Sequence, residues 1–311
     1  MAIYRDWNEM PSFKNAVITI GSFDGVHLGH QEILKEVVSL SDKYEGESVL
    51  ITFHPHPRKI IDPYAQLALI SDEEQKFERI LSLGIDHIVL VPFTRDFSMW
   101  SAEDYIDDFL LARFKPKAIV LGYDHHFGHG RKGDIALLKE KVPSEVKVYE
   151  IKAQLIEHAA ISSTKIRQAV LEGNVEEVPK MMGWLFSFKA TVVHGNKLGR
   201  TIGFPTANLK LTNTDLIVPA RGVYMVRVHL GEEEYAGMMN IGYKPSVSDD
   251  EVLSIEVHIL DFNQDIYGKE VEIECLRRIR DEQKFDGLEK LVEQLQKDRD
   301  WVKAEYGNSK Y

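Results

Sequence analysis

Five near-continuous apolar runs mark the first half of the chain, at 16–20, 48–53, 87–92, 117–122 and 146–151. Between them apolar residues return at helical spacing. Ile33, Leu34, Val37 and Val38 share one face. Phe77, Ile80 and Leu81 follow Ser71-x-x-Glu74, and Tyr105, Ile106, Phe109 and Leu110 follow Ser101-x-x-Asp104. Both starts have the capping-box pattern. Strands buried on both faces and separated by helices predict a doubly wound parallel sheet, whose ligands sit beyond the carboxyl ends of the strands. From about 185 the rhythm changes. Runs at 188–194, 222–230, 235–241, 252–260 and 270–276 follow at short spacing, with Gly, Asn and Pro turns between them. Tyr224, Val226 and Val228 alternate with Met225, Arg227 and His229. That period of two predicts a small antiparallel barrel. A last helix carries Leu288, Leu291, Val292 and Leu295 as one stripe after Asp286-x-x-Glu289, a further capping-box pattern. The stripe predicts packing on the barrel. The boundary is expected near Met182-Gly183-Trp184, giving domains 1–184 and 185–311.

The unusual residues of the first half fall just after strands. They are Gly21-Ser-Phe23-Asp24-Gly25, then Phe53-His54-Pro55-His56-Pro57, then Gly122-Tyr-Asp124-His-His-Phe127, and, past the fifth run, Ser162-Ser163-Thr164 with Arg167. Strand ends of a parallel sheet share one edge, so these segments are expected around one crevice. His27-x-Gly29-His30 opens the first helix. A helix N-terminus offers unpaired N–H groups and partial positive charge, Gly29 leaves room for a phosphate, and two imidazoles can donate to it. Ser163 and Thr164 can cap the next such helix or hold a phosphate, with Arg167 one turn on. His54 and His56, two apart on extended chain, also suit a metal with Asp124, His125, His126 or His129. The alternative is that Pro55 and Pro57 stiffen that loop into an apolar wall for a flat ring.

In the second half, His194-Gly195-Asn-Lys197-Leu-Gly199-Arg200-Thr-Ile-Gly203-Phe-Pro-Thr206-Ala-Asn208 is rich in glycine and positive charge, which suits close approach to a phosphate chain. It is not a Walker loop. Thr206 and Asn208 are hard oxygen donors on one face of extended chain, the kind magnesium takes. Glu256 interrupts the apolar strand from Leu253 to Leu260.

The chain has 311 residues, is 44% hydrophobic and carries a net charge of −11. The length suits two domains. The acidic balance argues against broad nucleic-acid binding. The single cysteine, Cys275, excludes an internal disulfide. No apolar run approaches the ~18 residues that cross a bilayer, and the N-terminus lacks a signal-like apolar region. A cytoplasmic protein that does not engage membranes is expected.

H-x-G-H at this position resembles the signature of the nucleotidyltransferase superfamily. The strings at 21–30, 52–57, 121–128 and 161–167 together resemble the FMN adenylyltransferase module of bacterial bifunctional riboflavin kinase/FAD synthetases. Pro205-Thr-Ala-Asn208, Gly222-Val-Tyr224, Asn240-Ile-Gly242 and Glu256-Val-His258 resemble the riboflavin kinase domain of the same family. The resemblance covers essentially the whole chain. It implies an α/β plus β fold: an N-terminal parallel-sheet nucleotidyltransferase domain, then an antiparallel β-barrel kinase domain with a terminal helix. It implies that ATP phosphorylates riboflavin to FMN in the second domain, and that FMN attacks ATP in the first, giving FAD and pyrophosphate, with Mg2+ in both steps. It further implies that His27, His30 and Arg167 act on ATP phosphates, with Gly21, Phe23, Asp24, Gly29, Ser162, Ser163 and Thr164 lining that site. Phe53, His54, Pro55, His56, Pro57, Asp124 and Phe127 take the flavin of FMN. Gly195, Lys197, Gly199, Arg200 and Gly203 take the kinase's ATP, Thr206 and Asn208 its metal, Glu256 the riboflavin proton, and Arg280 and Phe285 the riboflavin ring. The sequence departs from the family at His125, where Phe is more usual, and at Ser246-Val247, where Thr-Phe is usual. Rival readings are adenylyl transfer alone, transfer to another phosphorylated acceptor, or a flavin- and nucleotide-sensing protein.

Overall fold

The computed structural model describes residues 1–62, 64, 67–151, 161–195, 198–245 and 251–307. It contains two compact units, Met1–Leu67 with Glu73–Ser162, and Ala68–Asp72 with Ser163–Tyr311.

The first unit is built on six strands: β1 (Ala2–Tyr4), β2 (Val17–Ile20), β3 (Ser48–His54), β4 (His87–Pro92), β5 (Ala118–Gly122) and β6 (Lys147–Ile151). Their order is β1-β4-β3-β2-β5-β6, and every pairing is parallel. The five apolar runs are β2 to β6. Val17, Ile18, Val49, Leu50, Ile51 and Val120 are fully buried, as strands covered on both faces require. The three-residue edge strand β1 has no apolar run, and its pattern is half exposed. The helices are α1 (Leu28–Lys43), α2 (Pro57–Ile61), α3 (Glu73–Ser82), α4 (Arg95–Ser98), α5 (Ala102–Asp104) and α6 (Ile135–Lys141). Ser101 caps α5 as expected: its hydroxyl accepts from the Asp104 N–H at 3.0 Å. The chain then continues as a π-helix, Tyr105–Phe114. Its buried Tyr105, Ile106, Phe109, Leu110 and Phe114 join one core cluster with the sheet. Successive strands leave β2 first on the β3 side and then on the β5 side. The crevice where a doubly wound sheet binds ligands therefore falls at the carboxyl ends of β2 and β5.

The second unit holds α7 (Ser163–Leu171) and α8 (Val178–Met182), then β7 (Phe186–Val193), α9 (Leu198–Thr201), β8 (Ala207–Leu211), β9 (Gly222–Leu230), β10 (Glu233–Pro245), β11 (Glu251–Ile259), β12 (Glu270–Arg280) and α10 (Leu288–Tyr306). The six strands close a barrel in the order β10-β11-β8-β7-β12-β9, all antiparallel. β8 was not legible as an apolar run, because Asn208 and Lys210 interrupt it.

The last helix differs from expectation at its start. Gly287, with φ of 118°, is the N-cap, and no side chain caps the helix, so Asp286 and Glu289 form no capping box. Val292 and Leu295 pack with Phe204, Met225, Met238 and Val302, whereas Leu288 and Leu291 line a cavity. The stripe thus packs on the barrel at one end and walls a pocket at the other. Helix α10 is tied down by a buried charge. Asp298, 3% exposed, accepts from Arg280 Nε at 2.9 Å and from Gln294 Nε2 at 2.8 Å.

Breaking one side of a buried pair costs about 3–5 kcal/mol. Asp298→Ala is expected at the low end, about 3 kcal/mol, because Arg280 keeps a bond to Asp281 O. Hydrogen exchange across β12 and α10 measures it. Unchanged protection there would show that the pair contributes nothing.

Candidate functional site

At the end of β2 the chain makes a strained turn. Phe23 and Val26 both adopt positive φ, 49° and 43°. For a β-branched valine this is an outlier of the kind that collects at functional sites. The turn delivers His27 as the N-cap of α1. Its Nδ1 accepts from the His30 N–H at 3.3 Å, which leaves the proton of the neutral ring on Nε2. The two rings stack with centroids 3.6 Å apart, and Phe23 lies 4.9 Å from His30. Gly29 is buried in the first turn, which holds no acidic residue. Burial, then the neighbouring His27 and then Lys76 hold His30 well below the usual histidine pKa, so it is neutral at pH 7. Its Nδ1 is buried without a hydrogen-bond partner among the described residues. Asp24 is 4% exposed beside it on the same turn. A Cβ on Gly21 would stand 3.0 Å from the Phe23 ring. The expected histidine pair is therefore assembled, with an unsatisfied polar atom at a helix N-terminus whose first turn holds no acidic residue.

The segment after β3 departs from the expected extended wall. Pro57 is the first residue of helix α2, a position that suits proline because its missing N–H would be unpaired there. His56 caps that helix, its Nδ1 accepting from the Arg58 N–H. His54 turns to Glu73, at 3.4 Å. Phe53 packs on Phe93 and Phe97, at 5.4 and 6.0 Å. Among the described residues no three His, Cys, Asp or Glu side chains group as a metal site, so His54, His56 and Asp124 do not converge as ligands. After β5, Asp124 is exposed, while Phe127 is buried and stacked on Tyr105 at 5.0 Å. His125 carries a buried Nε2 without a hydrogen-bond partner among the described residues, and burial lowers its pKa to about 4.

Ser162 ends the first unit. Ser163, Thr164 and Arg167 lie on α7 in the second, where Arg167 Nε donates to Ala68 O at 2.8 Å.

In the barrel the expected kinase residues converge. Register pairs Asn208 on β8 directly with Glu256 on β11. Thr206 Oγ1 donates to Glu256 Oε2 at 3.0 Å, and Ser254 Oγ lies 3.4 Å from Oε1. His258 Nδ1 donates to Pro205 O at 2.8 Å, fixing the chain beside Thr206 just before β8. Two cavities meet at Thr206. One, of about 520 Å³, is lined by Asn208, Asn240, Glu256, Arg280, Phe285 and Leu291 among others. The other, of about 510 Å³, is lined by Arg200, Ala207, Phe262 and Tyr267 among others. Gly195 and Gly199 are required by close packing: a Cβ would stand 2.1 Å from Asn208 Nδ2 and 2.2 Å from Phe204 O. Gly203 has φ of 81° and open space around it. Lys197, Ser246 and Val247 lie outside the described residues.

Sequence reasoning missed Lys76. Its spacing from Glu73 and from buried Ile80 on α3 was the available signal, since three and four residues apart share a helix face. It also passed over Tyr105, which the π-helix brings against Phe127.

A nucleotidyltransferase-type turn on a parallel sheet, followed by a barrel in which Glu256 lines one cavity and is bonded to Thr206, the residue that cavity shares with a second, defines a two-part phosphotransfer enzyme class. A family model described as FAD synthetase matches residues 9–165, and one described as riboflavin kinase matches 182–306. The bifunctional riboflavin kinase/FMN adenylyltransferase of Listeria monocytogenes is 38% identical over 96% of this chain and 94% of its own length. That of Escherichia coli K12 is 34% identical over 96% and 95%. A solved structure described as a macrolide-efflux protein from Streptococcus pneumoniae aligns with TM-score 0.88 and 33% identity, over 97% of this chain and 98% of that one. No described helix here is long and apolar enough to cross a membrane. The chain belongs to the bifunctional riboflavin kinase/FMN adenylyltransferase family.

Gly199→Ala forces its new methyl into backbone. It is expected to lower the barrel's stability by about 1–3 kcal/mol, as overpacking does. Thermal unfolding beside Gly307→Ala, where nothing lies within 4 Å, is the measurement. Equal melting of the two variants would contradict it.

Proposed function

We propose that this chain phosphorylates riboflavin to FMN in its barrel and adenylylates FMN to FAD through its parallel-sheet module, with the functional boundary near residue 184. The observation that carries this is Glu256, held by Thr206 where two cavities meet. A carboxylate at such a junction can take the proton of a ribityl 5′-hydroxyl in one cavity as its oxygen attacks the γ-phosphorus of a nucleotide in the other. Arg280 and Phe285 wall the flavin side, and Arg200 lines the nucleotide side.

In the first module, His27 and His30 offer N–H donors at a helix N-terminus to the phosphates of ATP. Ser163, Thr164 and Arg167 take the same role on the strength of the motif alone. The flavin of FMN is assigned to the loops after β3 and β5, with Phe53, Asp124 and Phe127. Thr206, Asn208 and Glu256 form a hard oxygen set that fits magnesium arriving with the nucleotide. Bound there, the ion would supply charge neutralisation on the phosphates. The net charge of −11 and the lack of a membrane-crossing described helix support work on small molecules in the cytoplasm.

Chromatography of FMN and FAD formed from riboflavin, ATP and magnesium tests the reading. His30→Ala is expected to lower FAD formation from supplied FMN by roughly 10²-fold or more, with FMN formation near wild type. Glu256→Gln is expected to lower FMN formation by ~10²–10⁴-fold, with FAD formation from supplied FMN continuing. A wild-type protein that makes neither product, or variants that lose both activities together while folded, would sink the two-site assignment.

A further inference from the structure

Helix α3 carries a buried cation that no motif of the chain pointed to. The Lys76 ammonium donates to Thr52 Oγ1 at 3.2 Å, and that hydroxyl lies 3.3 Å from the Ser22 carbonyl, inside the turn that leads to His27. Lysine is thus joined through one hydroxyl to the turn that offers the anion site. Among the described residues no salt bridge satisfies it. Glu73, one turn earlier, is engaged by Arg5 and His54 instead. Asp24 and Glu73 act on Lys76 only as more distant charges, and burial outweighs them, lowering its pKa to about 8. It is still mostly protonated at pH 7. Its field also reaches His30, whose Nδ1 is buried and unpartnered. A buried ammonium bonded to one neutral hydroxyl, beside an unsatisfied imidazole, is the arrangement that a bound anion completes.

We propose that Lys76 holds the monophosphate of the flavin acceptor against the α-phosphate of ATP. This rests on the adenylyltransferase reading above and adds a residue to it. The choice of the acceptor phosphate follows from position. Thr52 lies on β3, whose end runs into the loop assigned to the flavin, whereas the helix N-terminus and its histidines face the nucleotide. Two polyanions repel each other at the moment of attack, and a cation between them relieves that repulsion. The step itself needs no proton from Lys76. An acceptor phosphate oxygen forms a bond to the α-phosphorus, the bond from that phosphorus to the β-bridging oxygen breaks, and the electron pair leaves with pyrophosphate.

The test uses the full chain with Lys76→Met and Lys76→Arg, and FAD formation from supplied FMN. Lys76→Met keeps the stem against Phe77 and removes the charge. The KM for FMN is expected to rise roughly tenfold to a hundredfold, the range for losing a charged hydrogen bond. The KM for ATP should change little, and Lys76→Arg should recover part of the loss. Inhibition by lumiflavin, which has no phosphate, should be unchanged in the methionine variant. The melting temperature should hold or rise, because a buried charge without a carboxylate has been replaced by an apolar group. An unchanged KM for FMN would overturn the proposal. So would a rise confined to ATP, weaker lumiflavin inhibition in parallel with FMN, or a lowered melting temperature with no recovery in the arginine variant. Failure of the wild type to make FAD at all would instead remove the adenylyltransferase reading beneath it.

Discussion

Taking a charge out of water costs several kcal/mol unless a partner or a ligand restores what solvent supplied. That constraint organises this molecule. Among the described residues, the buried carboxylates and histidines are Asp24, His27 and Asp298. Asp24 and His27 lie on the turn into α1, and Asp298 lines the larger barrel cavity. Apart from the Lys76 ammonium on α3, the interior elsewhere is mostly apolar and carries small hydroxyls and amides such as Thr19, Ser48 and Gln31, which backbone and side-chain bonds can satisfy. Asp298 has its partner already, in Arg280. On the α1 turn the group left without a hydrogen bond among the described residues is His30 Nδ1, a neutral ring atom that a bound phosphate can engage.

The two units reach their sites by opposite geometric routes. Six parallel strands point the same way, so the loops after β2, β3 and β5 collect at one edge whatever their sequence distance. Five apolar runs were enough to say that these three loops share an edge, whereas the fourth expected segment, with Ser163, Thr164 and Arg167, lies on α7 in the second unit. An antiparallel barrel alternates direction, and its site depends on register. Glu256 faces Asn208 because β11 pairs with β8, yet β8 itself has no continuous apolar run. There the motif, not the periodicity, located the site. The elements that escaped the sequence are those with little apolar signal or with a different period. β1 is a three-residue edge. The helix after Ser101 keeps its apolar face only by widening to a π-helix, which the 3.6-residue pattern does not distinguish.

Several misreadings share a cause, which is competition for the same residue. Asp286 and Glu289 have capping chemistry, but Gly287 takes the turn into α10 with a positive φ that they could not adopt as easily. Pro57 was expected in an extended loop, but a fixed φ and a missing N–H also suit the first residue of a helix, and the chain turns helical there. Lys76 belongs to no motif of the chain and drew no reading from the sequence. Its neighbours in space, Thr52, Asp24 and His30, are 24 to 52 positions away, and only the fold brings them to it.

His27 shows why function stayed readable where structure alone would have chosen otherwise. Serine, threonine and aspartate cap helices better than histidine does. A carboxylate there would also repel the phosphates the helix end attracts, and a hydroxyl would not extend to them. Histidine caps through Nδ1 and keeps a proton on Nε2, so one residue satisfies the backbone and still presents a donor. The positive φ angles of Phe23 and Val26 are the strain that holds this arrangement. Weak capping and backbone strain at one turn, set in a sheet whose strands obey every local rule, are deviations that stability does not explain and anion binding does.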